Sequence, residues 1–157
     1  MLLKVKYLFP NIPELVSRAG DSGYDIRAAI DKQLIMQPLD RVSVPTGIAV
    51  EISHTDRLIF ENIDGTFVQP QCELQVRPRS GLTKRGIFAQ FGTIDESYRG
   101  EIWVTLINTS RETQYIEPLE RIAQLVVCPI FKPIIYRATE LTPTERGTNG
   151  FGSTGRV

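Results

Sequence analysis

Four polar islands and a glycine-rich run interrupt a chain otherwise dominated by short apolar stretches. The first island, "AGDSGYDIRA" from Ala19 to Ala28, sets Asp25 beside Tyr24, with two glycines close upstream. The second, "RPRSGL" from Arg77 to Leu82, places Arg79, Ser80 and Gly81 where a helical turn can begin. Backbone N–H groups at such a start form an anion site, and the Arg79 guanidinium adds charge to it. The third, "GTIDESYRGEI" from Gly92 to Ile102, packs Asp95, Glu96, Tyr98 and Arg99 into a tight turn. The fourth, "ERIAQL" from Glu120 to Leu125, puts Arg121 and Gln124 in or beside an apolar strand. The last run, "RGTNGFGSTGR" from Arg146 to Arg156, carries glycine at 147, 150, 152 and 155. Glycine loses more conformational entropy on ordering than any other residue, so a compact fold gains little from such a segment.

Each island also has an ordinary reading. Asp-Gly-rich stretches are common loops. Asp95 can cap a turn, and a buried amide such as Gln124 usually satisfies a neighbouring backbone group. Other chemistries are excluded more firmly. His54 is the single histidine, in a loop-like "ISHTDR" with no Cys or His partner nearby, which removes histidine-based triads and a zinc ligand set. Gly147 to Thr154 spells G-x-x-x-x-G-S-T without the lysine of a P-loop.

The elements that must hold these islands repeat with period two. "GIAVEI" alternates Ile48, Val50 and Ile52 with Ala49 and Glu51, and "CELQVR" alternates Cys72, Leu74 and Val76 with Glu73, Gln75 and Arg77. "EIWVTLIN" is apolar on both faces, as a fully buried strand would be, and "RIAQLVVCPIF" and "PIIYRA" continue the β pattern. Turn-forming residues separate the runs, and the best helix candidate is a short turn near Ser80 to Arg85. Many short strands with closely spaced turns read as an all-β barrel or jelly roll. Residues 1–141 are expected to form that domain, and 142–157, which follow neither period, a mobile arm.

Lys plus Arg and Asp plus Glu number 18 each, so no net field draws the chain to nucleic acid or to an anionic membrane. No run approaches the ~18 apolar residues of a membrane helix, and "MLLKVKYLF" lacks the long apolar core of a signal peptide. Cys72 and Cys128 make no metal spacing or disulfide framework and are expected as buried thiols, which points to a cytoplasmic home.

Taken in order, the islands resemble the five motifs of the trimeric dUTP diphosphatase (dUTPase) family, from roughly Glu14 to Gly155. "GDSGYDIRA" is similar to the first, "PRSGL" to the second, "GTIDESYRGEI" to the third, "RIAQL" to the fourth and "RGTNGFGSTG" to the fifth. The resemblance implies a jelly-roll-like subunit in a homotrimer with shared active sites, converting dUTP and water to dUMP and diphosphate. It implies that the glycine-rich arm closes over the nucleotide of a neighbouring subunit, with Phe151 stacking on uracil, Arg146 meeting a phosphate, and Gly152, Ser153 and Thr154 donating hydrogen bonds. Asp95 would be the general base, and Asp25 would hold Mg2+ through its coordinated waters. Arg79, Ser80 and Gly81 would grip the phosphates, and Gln124 the α-phosphate or the attacking water. Tyr98 would lie under the deoxyribose and exclude a 2′-OH. Thr93, Ile94 and a hairpin backbone from Ala89 to Gly92 would read the uracil edge.

Departures from the pattern are local. Ala89 stands where many members have Asn, Leu119-Glu120 replaces a usual Gly-Asp, and Asn149 replaces a glycine. Residues 53–72 are longer than the usual link and read as an extended hairpin turning near Asp64-Gly65. A deaminase of the same fold would need a glutamate where this chain has Thr105, and it would lack the arm. A non-catalytic nucleotide-binding regulator would have lost Asp95, Asp25 or the arm, and all three are kept.

Overall fold

Alternation does most of the placing. Strand β8 (Gln71–Arg77) buries Cys72, Leu74 and Val76 and turns Glu73, Gln75 and Arg77 outward. The computed structural model describes residues 2–53, 60–61, 65, 67–68 and 71–148. Within them the strands ahead of β8 are β1 (Leu2–Tyr7), β2 (Tyr24–Arg27), β3 (Leu34–Met36), β4 (Arg41–Pro45), β5 (Ile48–Ser53), β6 (Phe60–Glu61) and β7 (Phe67–Val68). The short helix α1 (Ser80–Lys84) follows, then β9 (Ile87–Ala89), β10 (Gly92–Ile94), β11 (Trp103–Asn108), β12 (Gln114–Ile116) and β13 (Arg121–Ile130).

All the strand pairings among the described residues are antiparallel. The sheets run β10-β8-β13-β2, β4-β11-β9, β1-β5, β12-β3 and β6-β7. Their inner faces meet in one core that includes Ile26, Met36, Val44, Leu74, Leu106 and Leu125. The result is an all-β, jelly-roll-like barrel, as the period-two pattern implies. The helix falls where the sequence places it.

Two turns of the same construction set strand directions on adjacent edges. Gln37–Asp40 follows β3, and Glu117–Glu120 follows β12, its pairing partner. In each, the fourth residue donates its N–H to the first carbonyl, at 3.1 and 3.0 Å. The Asp40 and Glu120 carboxylates accept the first N–H in return, at 2.7 and 2.9 Å. Leu39 and Leu119 hold φ of 70° and 61°, so Leu119 adopts the left-handed backbone that a glycine at this position would take without strain. Buried Asn108 closes the same region, donating to Met36 O and Glu112 O and accepting from the Ser110 N–H and hydroxyl.

Gly47 has φ of 67°, and a β-carbon there would fall 2.6 Å from Phe9 Cβ and 3.0 Å from Ala29 Cβ. Gly47→Ala therefore combines a left-handed alanine with overpacking. It is expected to lower stability by about 2–5 kcal/mol. A urea or thermal melt measures this directly; an unchanged midpoint would refute the strain.

Three sequence expectations change. "EIWVTLIN" buries one face only: Val104 and Leu106 are enclosed, while Trp103 is 53% exposed. "PIIYRA" takes no strand partner among the described residues, and β13 stops at Ile130. Period two marks a segment able to pair but supplies no neighbour to pair with. Finally, β9 pairs with β11 and β10 with β8, so Ala89 to Gly92 passes between two sheets and is not a β9–β10 hairpin. Within the region 53–72, Phe60 pairs with Val68 and Glu61 with Phe67 across Gly65. His54 lies outside the described residues. Cys72 is buried, and burial pushes its thiol pKa up, helped by Glu96 and Cys128. Cys128 is only half-buried and accepts a hydrogen bond from Arg77 at 3.3 Å.

Candidate active site

Register assembles the first cluster. Asp25 in β2 lies opposite Gln124 in β13, and Gln124 lies opposite Arg77 in β8. A bulge between Arg121 and Ala123 makes this possible. Without the extra residue, Ala123 would face Asp25 and Gln124 would shift out of register. Arg79, just past β8, donates from Nε to Asp25 Oδ1 at 2.8 Å, from Nη2 to Oδ2 at 3.4 Å and from Nη1 to Arg121 O at 3.2 Å. Arg121 Nη1 stands 3.5 Å from Asp25 Oδ2. Asp25, Arg79, Arg121 and Gln124 line a hollow of about 330 Å³ shared with Arg18 and Asp21.

Planar guanidiniums in such a hollow match phosphate oxygens, which they can bind two at a time. Arg79 is the N-cap of α1, its side chain capping no first-turn N–H, and Ser80 and Gly81 are exposed beside it. A β-carbon at Gly81 would touch nothing within 4 Å. A helical glycine costs about 1 kcal/mol relative to alanine, and packing inside this chain does not require it.

The second cluster is the turn after β10. Asp95 O accepts the Tyr98 N–H at 2.9 Å, so the backbone closes the turn. The Asp95 carboxylate caps nothing: it is exposed and takes no hydrogen bond or ion pair among the described residues. Tyr98 donates its hydroxyl to Glu101 O at 3.0 Å. Its ring lies so close to Gly100 that a β-carbon there would fall 2.3 Å from the hydroxyl. Thr93, Ile94, Asp95, Tyr98 and Trp103 line a hollow of about 290 Å³. Because β10 is the edge of its sheet, Thr93 and Ile94 pair with β8 on one side and have no strand on the other among the described residues.

Ala89 does not join either cluster. Its side chain is 4% exposed and belongs to the core, paired with Leu106, since β9 alternates Ile87 and Ala89 inward with Phe88 outward. Thr105, where a deaminase would need a glutamate, shares a hydroxyl hydrogen bond of 3.1 Å with Ser43. Arg146 sits beside a turn in which Gly147 N–H donates to Thr144 O at 3.0 Å. Phe151, Gly152, Ser153 and Thr154 lie outside the described residues. Sequence reasoning missed one contributor: a buried strand is expected at Trp103, and its exposure shows only once one face of β11 is seen to be open. Arg121 belongs to the fourth island, but its reach to Asp25 shows only once β2 lies beside β13.

The two clusters are far apart in one chain. Extending the β10 register puts Asp95 opposite Glu73, four residues along β8 from Arg77 and three strand spacings from Asp25. At ~3.4 Å per residue and ~4.8 Å per strand, the backbone positions of Asp25 and Asp95 lie roughly 20 Å apart along the sheet. A triphosphate does not span that gap.

A dUTPase family model matches residues 12–155. The deoxyuridine 5'-triphosphate nucleotidohydrolase of Hydrogenobaculum sp. is 42% identical over 140 residues, covering 87% of this chain and 85% of the relative. That of Bdellovibrio bacteriovorus is 36% identical over 157 residues, covering 98% and 94%. A solved variant of Staphylococcus bacteriophage 80alpha dUTPase with dUpNHpp is 25% identical, with a TM-score of 0.77 over 98% of both chains. This chain belongs to the dUTPase family.

Proposed function

We propose that this chain hydrolyses dUTP to dUMP and diphosphate at sites shared between the subunits of a homotrimer. The observation that carries the sharing is the separation just described: Asp95 on one chain meets the Asp25–Arg79–Gln124 hollow of another. The exposed run after β13 supports an assembly. Ile134, Ile135 and Tyr136 are 97%, 94% and 86% exposed, a β-patterned apolar segment suited to cover by another copy.

Neutral water is a poor nucleophile toward the α-phosphorus. Asp95 takes its proton, and a carboxylate with no other partner among the described residues is free to do so. Arg79, with the N–H groups and hydroxyl of Ser80 and Gly81, holds the phosphate chain, and Gln124 reaches the α-phosphate or the attacking water. Arg121 adds charge on the same side. Among the described residues no three acidic, His or Cys side chains gather as a metal cage. One partly exposed Asp25 carboxylate suits Mg2+, which keeps most of its waters and binds phosphate oxygens directly. Mg2+ would neutralise charge on the triphosphate, with Asp25 holding it through water.

The Tyr98 ring lies against the deoxyribose and leaves no space for a 2′-OH. Edge-strand backbone at Thr93 and Ile94 reads the uracil, since the Ala89 side chain faces the core. A mismatched base would leave buried polar groups unpaired. Arg146, Phe151, Gly152 and Ser153 of the arm complete the site from a neighbouring chain. Two free cysteines and a net charge of zero support a cytoplasmic enzyme whose partners are dUTP and its own copies, without nucleic acid or membrane.

Sharing has a direct test. Asp95→Asn and Asp25→Asn chains, each inactive alone, are refolded together and assayed for diphosphate release from dUTP with Mg2+. Random assortment places both wild-type carboxylates in about a quarter of the sites, so activity returns. No recovery, or a monomeric mass in light scattering, would refute shared sites.

A further inference from the structure

We infer that Glu101 is a positioning residue for sugar discrimination, acting through Tyr98; the inference rests on the reading that the Tyr98 ring lies against the deoxyribose. The Tyr98 hydroxyl is donated to the Glu101 carbonyl and not into the hollow. It therefore works as a tether that fixes the ring. The carbonyl is itself fixed, because Glu101 Oε1 accepts the Gly47 N–H at 2.8 Å, between segments 54 residues apart. Gly47 cannot drift: Phe9, Ile12 and Ala29 enclose the position of its missing β-carbon.

The neighbouring residues stitch the same seam. Ile102 O accepts the Thr46 N–H at 3.1 Å and the Thr46 hydroxyl at 2.6 Å, and Ile102 N–H donates to Ile48 O at 2.9 Å. Gly100 completes the arrangement, since any side chain there would displace the ring. A floor that must reject one extra hydroxyl has to stay put, because a ring free to swing away would admit the ribose. The line from the core through Gly47 and Glu101 to Tyr98 supplies that rigidity. None of these groups needs to touch the reacting phosphate.

The test compares kcat/KM for dUTP and UTP. Glu101→Ala should reduce the dUTP preference by about tenfold, the scale of one hydrogen bond's loss. Glu101→Gln should retain the preference, because its amide oxygen still accepts the Gly47 N–H. Tyr98→Phe cuts the tether at its other end with the Glu101–Gly47 bond intact, so it keeps the test decisive even if Glu101→Ala does not fold. It should cause a similar loss, and the double variant should lose no more than either single one. A merely structural Glu101 would lower both substrates together and leave their ratio unchanged. An unchanged ratio in Glu101→Ala and Tyr98→Phe, with a fallen ratio in Tyr98→Ala, overturns the tether and leaves the sugar reading standing. An unchanged ratio in Tyr98→Ala overturns both.

Discussion

Asp95→Asn is expected to lose turnover by on the order of 10²–10⁴-fold, the range for removing a positioned general base. The substitution is close to isosteric, and the structure gives it nothing else to break. The Asp95 carboxylate takes no hydrogen bond or ion pair among the described residues, and the turn is closed by the main-chain bond from Tyr98 N–H to Asp95 O. Thermal stability and the affinity for a non-hydrolysable dUTP analogue should therefore stay near wild type while kcat collapses. This pattern separates a base from a binding residue, whose loss would raise KM. A rate within a few fold of wild type would remove Asp95 from the chemistry.

Deleting residues 146–157 should produce the second large effect, again without a cost in folding. The described residues leading into the deletion, 131–145, are all exposed, and the core cluster draws on none of them. The melting temperature should hardly move. Activity on dUTP should nevertheless fall by at least about 10²-fold, because in the proposed site the arm would supply phosphate donors, the Phe151 stack and a shield from water. Phe151→Ala should fall between wild type and the deletion, since a base stacked on an aromatic is worth roughly 1–3 kcal/mol. Melting curves and diphosphate release, measured on the three proteins together, check both halves. Normal turnover by the truncated chain would show that the arm takes no part in catalysis.

The chemistry of this protein is unusually legible because each functional group sits in a short, self-contained stretch. Asp25, Arg79, Asp95 and Gln124 all stand in islands that break the apolar pattern, although only Asp95, in the turn after β10, is exposed. The strands around them are readable for a similar reason. Burial alternates with the pleat in β8, which announces itself through its own side chains. The four residues of β2 were harder, since a strand that short, inside a glycine-rich island, looks like a loop until its partner β13 is beside it.

What the sequence by itself determined, then, was the all-β class, the placement of α1 at Ser80 and the family to which the five ordered motifs belong. Tertiary structure alone decided how those groups are distributed. The bulge that brings Gln124 opposite Asp25, the reach of Arg121 and the burial of Ala89 each depend on register between segments distant in the chain. So does the gap between Asp95 and Asp25. Register is a property of pairs of strands, set by packing and twist across the sheet, and no single stretch of residues encodes it.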